Sequence, residues 1–576
     1  MGTFEQNIAA TSLDLIVANP RFLETLNQVA PTTNTIIYTN LSNLYDGLLT
    51  DWLAYADRNN IPRETAFYHV TQATAFSGSS PASRPVNWLW DVSLQNADGT
   101  GTPTNFTTVA RANGATGVTL GNIGEAVSFA YPDRFRELNF TMVRAPQDGW
   151  QGVWEYASAV DANGKATAWK TLNLNQDGTN AFRNNGQVTF DPPADWVASL
   201  NPNGVDRLFQ VRVRTTAGAA AEAPEIRSVY GRDFVNSNGP DKGTIPAFDT
   251  QADLNSDGYL SDAEFAQRRS GFDARFDYES RLFYPFYGQM RFVTNPNSLS
   301  VQKWAGEYHV QMLKSQPLAE GLFIDNAHGK LPFVGTPVRE SIASFTANTA
   351  AMVRAVTEQV SPQWVITNTA GSRNEGNSIA AASTGALEEF LLRPTTSTWS
   401  AVNDVAALVA GRLNSSTTAS PYLILDSLPG SKPTTDPELQ IATLAYYYLL
   451  ADPTRTFLMF YGGFRPSAPW ETVWVPAATT NVGQPLGAMK VMQAGKDPAN
   501  TALDYRVFGR EYQNALTLYK PLSYTLQKGT GNTADNTATT MELNGNYRIL
   551  NADGTLGPII TQISLKNGTG AVLMKA

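Results

Sequence analysis

The chain contains no cysteine, which excludes disulfide staples, thiolate metal sites and a cysteine nucleophile together. Charge is scarce too: only 16% of its 576 residues are Asp, Glu, Lys or Arg, and the formal net charge is −9. Such a composition lacks the basic face that a general nucleic-acid or anionic-membrane binder needs, so neither partner is expected. Long apolar runs are missing. Stretches such as Ile441 to Leu450 fall well short of the roughly 20 residues that cross a bilayer, so no membrane span is expected. The first thirty residues show no basic start followed by an apolar run, so no secretory signal is expected. Gln6 stands where a myristoylation signal at Gly2 calls for Ser or Thr. No phosphate-binding glycine loop follows a strand-like run, and no G-x-S-x-G elbow occurs, which disfavours phosphate chemistry and a Ser–His–Asp hydrolase.

What is present is enough apolar residue, 42%, for several cores, and a generous 11% of aromatics. At about 150 residues per domain the length suggests three or four units. Thr35–Asn40 reads as a strand, an amphipathic stretch from Leu44 to Tyr55 as a helix, and Thr65–Val70 as a second strand. The pattern then changes. From about Val86 to Val229, short alternating runs are separated by hairpin signals such as Asp98-Gly99, Asn163-Gly164 and Asn203-Gly204. Strand–helix alternation resumes afterwards, with strands expected at Met290–Thr294, Gly321–Asp325, Trp364–Asn368, Gly385–Phe390, Tyr422–Asp426 and Thr456–Tyr461. Helices are expected at Pro337–Gln359, Val402–Leu413 and Pro437–Leu450. Eight strand–helix repeats are the number that closes a (β/α)8 barrel. The expected organisation is therefore an α/β barrel begun in residues 1–85 and completed in 281–502. An antiparallel β-sandwich is inserted at 86–230, a connector follows at 231–280, and a small β-sandwich closes the chain at 503–576.

The connector carries a motif of its own. Residues 253–264 match D-x-[DN]-x-[DN]-G-x5-E at every fixed position. Asp253, Asn255 and Asp257 bring oxygens to one side of a hard cation, and Gly258 permits the turn. The Tyr259 carbonyl, Ser261 through a water and bidentate Glu264 complete an EF-hand-like Ca2+ shell. A single loop of this kind is expected to staple the connector rather than to sense calcium.

In a β/α barrel, reactive groups sit where the strands end. The expected strand ends offer Asn40, His69, Asn295, Asp325, Asn368, Glu388 or Glu389, Asp426 and Tyr461. Carboxylates among hydroxyl-binding side chains are what glycoside hydrolysis requires, with two carboxyls flanking the bond to be broken. Gly321-Leu322-Phe323-Ile324-Asp325-Asn326 is the sharpest case: an apolar strand ends abruptly in an acid with an amide beside it. A lone Asp there would more commonly cap a helix or fix a loop. In Gly385–Phe390, alternation sends Glu388 and Glu389 to opposite sides, so at most one faces the cleft, with a slight preference for Glu389. Asp426 is a third candidate, as a substrate ligand or modulator. None of the three histidines has the carboxylate spacing of a zinc site.

Taken as a set, Ile36–Ser42, Phe292–Pro296, Gly321–Asn326 and Gly385–Phe390 resemble the glycoside-hydrolase-like TIM barrels of bacteria and phages. Val507–Ala515, Asn546–Arg548 and Asn551–Gly554 resemble the small sandwich that follows those barrels. The resemblance covers about three-quarters of the chain. It implies a TIM barrel in which Asp325 is nucleophile or base and a Glu of the 388–389 pair is the general acid. The inserted block, with Trp150, Trp154, Trp169, Asp191–Trp196 and Val211–Arg214, resembles sandwich modules of phage tails and contractile injection systems. That resemblance implies an extracellular-facing part of a virion or injection particle, with a cell-surface polysaccharide and other tail or particle proteins as partners. The alternative expectation is a non-catalytic glycan-binding or baseplate protein that keeps a hydrolase-like barrel.

Overall fold

In the computed structural model of the chain, placement is described for residues 3–69, 74–75, 89–112, 116–131, 135, 137–190, 192–204, 207–231, 244–245, 281–286, 289–331, 338–369, 376–414, 422–428, 430, 432–460, 475–526, 530–531 and 538–576. The chain forms two compact units. The first comprises Met1–Leu41, Ala305–Lys330 and Phe345–Ala576; the second comprises Ser42–Trp304 and Leu331–Ser344. The calcium-loop sequence at 253–264 lies outside the described residues.

The first unit is organised by seven strands: β1 (Leu15–Ala18), β2 (Asn34–Asn40), β3 (Gly321–Asp325), β4 (Trp364–Asn368), β5 (Gly385–Leu392), β6 (Tyr422–Ser427) and β7 (Thr456–Met459). They bond in that order and every neighbouring pair is parallel. Sequential parallel order makes a barrel-like wall, unlike a doubly wound sheet, in which the strand order reverses. Gly321 and Gly385 open β3 and β5 because a Cβ there would collide with the carbonyls of Trp364 and Tyr422 on the next strand. Period-two alternation then sends one residue from each strand into a shared apolar layer: Leu15, Ile36, Phe323, Ile366, Leu387, Ile424 and Phe457. Residues of the other parity, including Ala386, Leu423 and Leu425, join the helices Trp399–Leu413 and Pro437–Leu450 in a second cluster. The first starts at Trp399, three residues before the expected Val402, and the second at Pro437 as expected. Thr398 and Asp436 accept bonds from Ala401 N at 3.3 Å and Leu439 N at 2.9 Å, and Pro437 occupies the first turn.

An eight-stranded antiparallel sheet, from Lys490–Lys496 to Thr569–Lys575, completes this unit. One face lies on helix Pro437–Leu450, where the Tyr446 and Tyr519 rings stack 4.8 Å apart. The other face buries Val507, Leu518 and Leu573 among Met541 and Ile563. The β-rich ending expected from residue 503 is thus a single hydrogen-bonded sheet whose first strand starts earlier, at Lys490.

The second unit contains two antiparallel sheets between Asp91 and Gly231, of seven and five strands. Phe129 and Trp154 of the larger sheet meet Phe140 of the smaller, with Phe182 beside them, at centroid distances of 5.3 to 6.1 Å. Ring pairs at this spacing, three of the five edge-to-face, form the core between the two sheets.

Two expected barrel strands lie elsewhere. Arg63–Ala66 winds into a 3-10 turn after Pro62, and Phe67 and His69 then make only isolated antiparallel bridges, to Thr294 and Arg281. Gln289–Val293 pairs antiparallel with Phe283–Phe286 and with Asn43–Leu44. Apolar alternation looks the same in parallel and antiparallel ladders, so the pattern could not separate them. In their place Leu15–Ala18 supplies a strand too short to stand out. Among the described residues the parallel sheet therefore has seven strands, not eight. The helix expected at Pro337–Gln359 runs from Phe345 to Val360.

Candidate active site

Two residues beyond the apolar layer, alternation returns the strands to the same face, and β2 to β6 now carry polar groups at the C-terminal end: Tyr38, Asp325, Asn368, Glu389 and Asp426. Asp325 is the centre of this layer. Its Oδ2 accepts from the Tyr38 hydroxyl at 2.8 Å and from Asn326 Nδ2 at 3.0 Å. Its Oδ1 accepts from Asn326 N and from Asn368 Nδ2, both at 2.9 Å. All four partners donate to its oxygens. Asn368 Nδ2 also donates to Glu389 Oε2 at 3.3 Å. One amide nitrogen therefore bridges two carboxylates, and the two bonds keep the acceptor oxygens no more than about 6 Å apart, a bound that admits the roughly 5–5.5 Å of a nucleophile and acid pair.

Glu389 is half-buried. Burial pushes its carboxyl up, the Asp325 charge adds to that, and the Asn368 bond opposes it. Asp426 is only 1% exposed, and burial, with the Glu389 charge adding, pushes its carboxyl up to about 7. Its Oδ2 accepts from Phe390 N at 3.2 Å, while Oδ1 has no hydrogen-bond partner among the described residues. Phe390 itself has φ 52°, a left-handed conformation in a residue other than glycine, and Asn326 has φ 54°. The two backbone reversals directly follow Glu389 and Asp325.

Asn40 is buried and lies in register with Asp325. Glu388 points the other way. It is 3% exposed and bonded through Oε1 to Arg412 Nε at 2.6 Å, and Arg412 also reaches Asn377. The 388–389 ambiguity thus resolves to Glu389 as the residue of this layer. His69 and Asn295, expected at barrel strand ends, belong to the second unit. There His69 is buried between Glu340 Oε1, 2.8 Å from Nδ1, and Glu64 Oε2, 3.0 Å from Nε2. Arg281 Nε reaches the same Glu64 oxygen at 2.7 Å. Asn295 bonds to the Thr65 carbonyl and caps Asn297 N. Tyr461 lies outside the described residues. Tyr38 is the site residue that strand-end reading passed over. Its signal was parity, since it stands two before Asn40 on the same face of β2.

Among the described residues no group of three or more His, Asp or Glu side chains is placed to hold a metal. No described helix is long and apolar enough to cross a membrane.

No family model and no curated protein matches the chain. Parts of solved glycoside hydrolases are similar to it. A GH27 β-L-arabinopyranosidase from Geobacillus stearothermophilus is 9% identical with a TM-score of 0.30, over 50% of this chain and 64%, less than two thirds, of that one. The α-galactosidase I of Mortierella vinacea is 11% identical with a TM-score of 0.28, over 49% of this chain and 72% of that one. A debranching enzyme of Nostoc punctiforme is 11% identical with a TM-score of 0.28, over 53% and 67%. Likeness this distant carries no activity across; the chemistry of the site rests on its own distances.

Proposed function

We propose that the first unit is a retaining glycoside hydrolase. The single observation behind this reading is the Asn368 amide that donates to both Asp325 and Glu389. Asp325, surrounded by donors, is the nucleophile: an Oδ forms a bond to the anomeric carbon as the glycosidic bond breaks. Glu389, its carboxyl raised by burial, gives its proton to the leaving oxygen. Water then replaces Asp325 at the anomeric carbon and gives its proton to Glu389, which restores both groups. The bridge through one nitrogen favours retention, which needs the closer pair of carboxyls, over inversion. Tyr38, 41% exposed, stands beside Asp325 at the rim, where a sugar would meet it.

The polymer we assign is a cell-surface polysaccharide met by a particle-borne protein, a reading supported by the motif resemblances of the barrel and of the inserted block. The loop at 253–264 we assign to Ca2+, on its complete ligand spacing.

Reducing-end release from surface polysaccharides tests the enzyme. Asp325→Asn should abolish release and Glu389→Gln should lower it about 10²–10⁴-fold, while Glu388→Gln, on the other face, should leave the chemistry in place. Release that survives Asp325→Asn would refute the assignment. Binding of a polysaccharide with no release by the unaltered chain would favour a non-catalytic glycan-binding role.

A further inference from the structure

The outward face of the seven-stranded antiparallel sheet in the second unit carries a feature that the hydrolytic reading does not use. Outward positions of an antiparallel sheet are usually solvated. Here Ser128, Gln210 and Arg212 are buried, Gln210 at 2% and Arg212 at 7% exposure. They form the floor of a cavity of about 340 Å³, with Trp169 as a wall and Asn96 and Asn201 among its other lining residues. That volume is at the small end of the ligand-cavity range of about 300–1,000 Å³ and suits one or two sugar rings.

The walls are built rather than incidental. The Arg212 guanidinium lies 3.7 Å from the Trp169 ring centroid and fixes the plane of the indole. The charge of Arg212 is taken up by Glu155, 2.8 Å away, and its Nη1 donates to the Ala97 carbonyl at 2.8 Å. At the mouth, Lys165 Nζ donates to the Gly99 carbonyl at 3.2 Å, and Asp98 Oδ1 accepts from Thr100 N and Oγ1. The charged groups are thus turned to protein partners. The amide nitrogens of Gln210, Asn201 and Asn96 are likewise turned to protein acceptors, Gln210 Nε2 to Ser199 and Leu200, Asn201 to Asp91 and Asn96 to Thr100. What the cavity offers a ligand is therefore the indole face turned away from Arg212, the Ser128 hydroxyl and amide oxygens. This combination matches a neutral pyranose, whose C–H face lies on an indole and whose hydroxyls donate to such oxygens.

We propose that this cavity binds a neutral hexopyranose unit of a polysaccharide, as a site separate from the hydrolytic layer. It goes beyond the proposed hydrolysis and can fail independently of it. The test uses the full chain carrying Asp325→Asn, run in native gels that contain amylose, dextran, galactomannan or laminarin. At least one polymer should retard it. Trp169→Ala should weaken that retardation about tenfold, as the loss of one aromatic contact does. Thr167→Trp, which fills the exposed mouth without touching a buried group, should do the same with the melting temperature unchanged. Trp169→Phe should retain most of the binding. Retardation unaltered by Trp169→Ala and Thr167→Trp, or no retardation in any gel, overturns the proposal. Binding that depends on Trp169 in a chain whose unaltered form hydrolyses nothing would leave this site standing and remove the hydrolase reading.

Discussion

Replacing Asp426 by Asn tests the electrostatics of the polar layer through stability. Burial pushes this carboxyl from 3.8 up to about 7. The unfolded chain gives up the proton near 3.8, whereas the folded chain keeps it until about pH 7. The sign is therefore the reverse of that for a salt-bridged carboxylate: below pH 4 the group imposes no penalty on folding. The penalty grows as pH rises through the window and levels off above pH 7 at about 4 kcal/mol, at 1.36 kcal/mol per unit.

Asparagine has no such proton. Its oxygen can keep the bond from Phe390 N, while its NH2 takes the place of Oδ1, which has no hydrogen-bond partner among the described residues. An unsatisfied donor there costs about 1–3 kcal/mol at every pH. The protonated acid of the parent carries the same unpartnered donor, its O–H, so the variant should be close to the parent in stability at pH 4 and more stable at pH 8. With two compact units a single unfolding free energy is not defined, so the observable is the calorimetric transition of the first unit. At roughly 2 °C per kcal/mol for a unit of this size, the variant-minus-parent difference should move by roughly 5–10 °C between pH 4 and pH 8. A difference that stays flat across that range would refute the buried, protonated acid.

The buried cluster of the second unit gives a pH dependence of its own. Burial alone would push His69 down, but the Glu340 and Glu64 carboxylates outweigh it and raise its pKa. The imidazolium should then stabilise this unit fully below pH 6.5, with the gain lost as pH rises through the raised folded value; His69→Gln should flatten that slope in thermal melts, and an unchanged slope would refute it. For the calcium loop, EDTA should lower a thermal transition of the full chain and Ca2+ should restore it, whereas Glu264→Gln should weaken the response; a transition indifferent to both would remove the assignment.

The six strands that the sequence placed correctly in the parallel wall are those with a β-branched or apolar run and a polar stop, such as Gly321–Asp325 and Tyr422–Ser427. The stops mattered most, because they put Asp325, Asn368, the Glu388–Glu389 pair and Asp426 at one end of the wall. The 388–389 choice was not legible, since it depends on Arg412, 24 residues further on and on a helix. His69 and Asn295 were misplaced because their runs alternate as a barrel strand would, and only hydrogen-bond partners distinguish the two kinds of sheet. The cavity beside Trp169 left no trace in the pattern either. Ser128, Gln210 and Arg212 occupy what reads as a solvated face, and their burial comes from loops distant in sequence.

The backbone supplies the link between these observations. Of the non-glycine residues with positive φ among the described residues, two follow the proposed catalytic carboxylates: Asn326 after Asp325, and Phe390 after Glu389. Asn tolerates that region because its short side chain can bond locally, as Asn326 does through Nδ2 to Asp325. Phe has no such resource, and a residue held in that region costs about 1–3 kcal/mol. The compensation at Phe390 comes from outside its own strand, through its N–H bond to Asp426 Oδ2. This bond also accounts for the third carboxyl. An acceptor at this position must be buried to reach the kink, and a buried charge there would repel Glu389. An acid that remains neutral until about pH 7 meets both demands, whereas an ionised one would press its charge on the residue whose orientation the kink maintains. In the proposed mechanism Asp426 thus acts through backbone geometry: its bond to Phe390 N holds the kink next to Glu389, the residue that Asn368 bridges to Asp325.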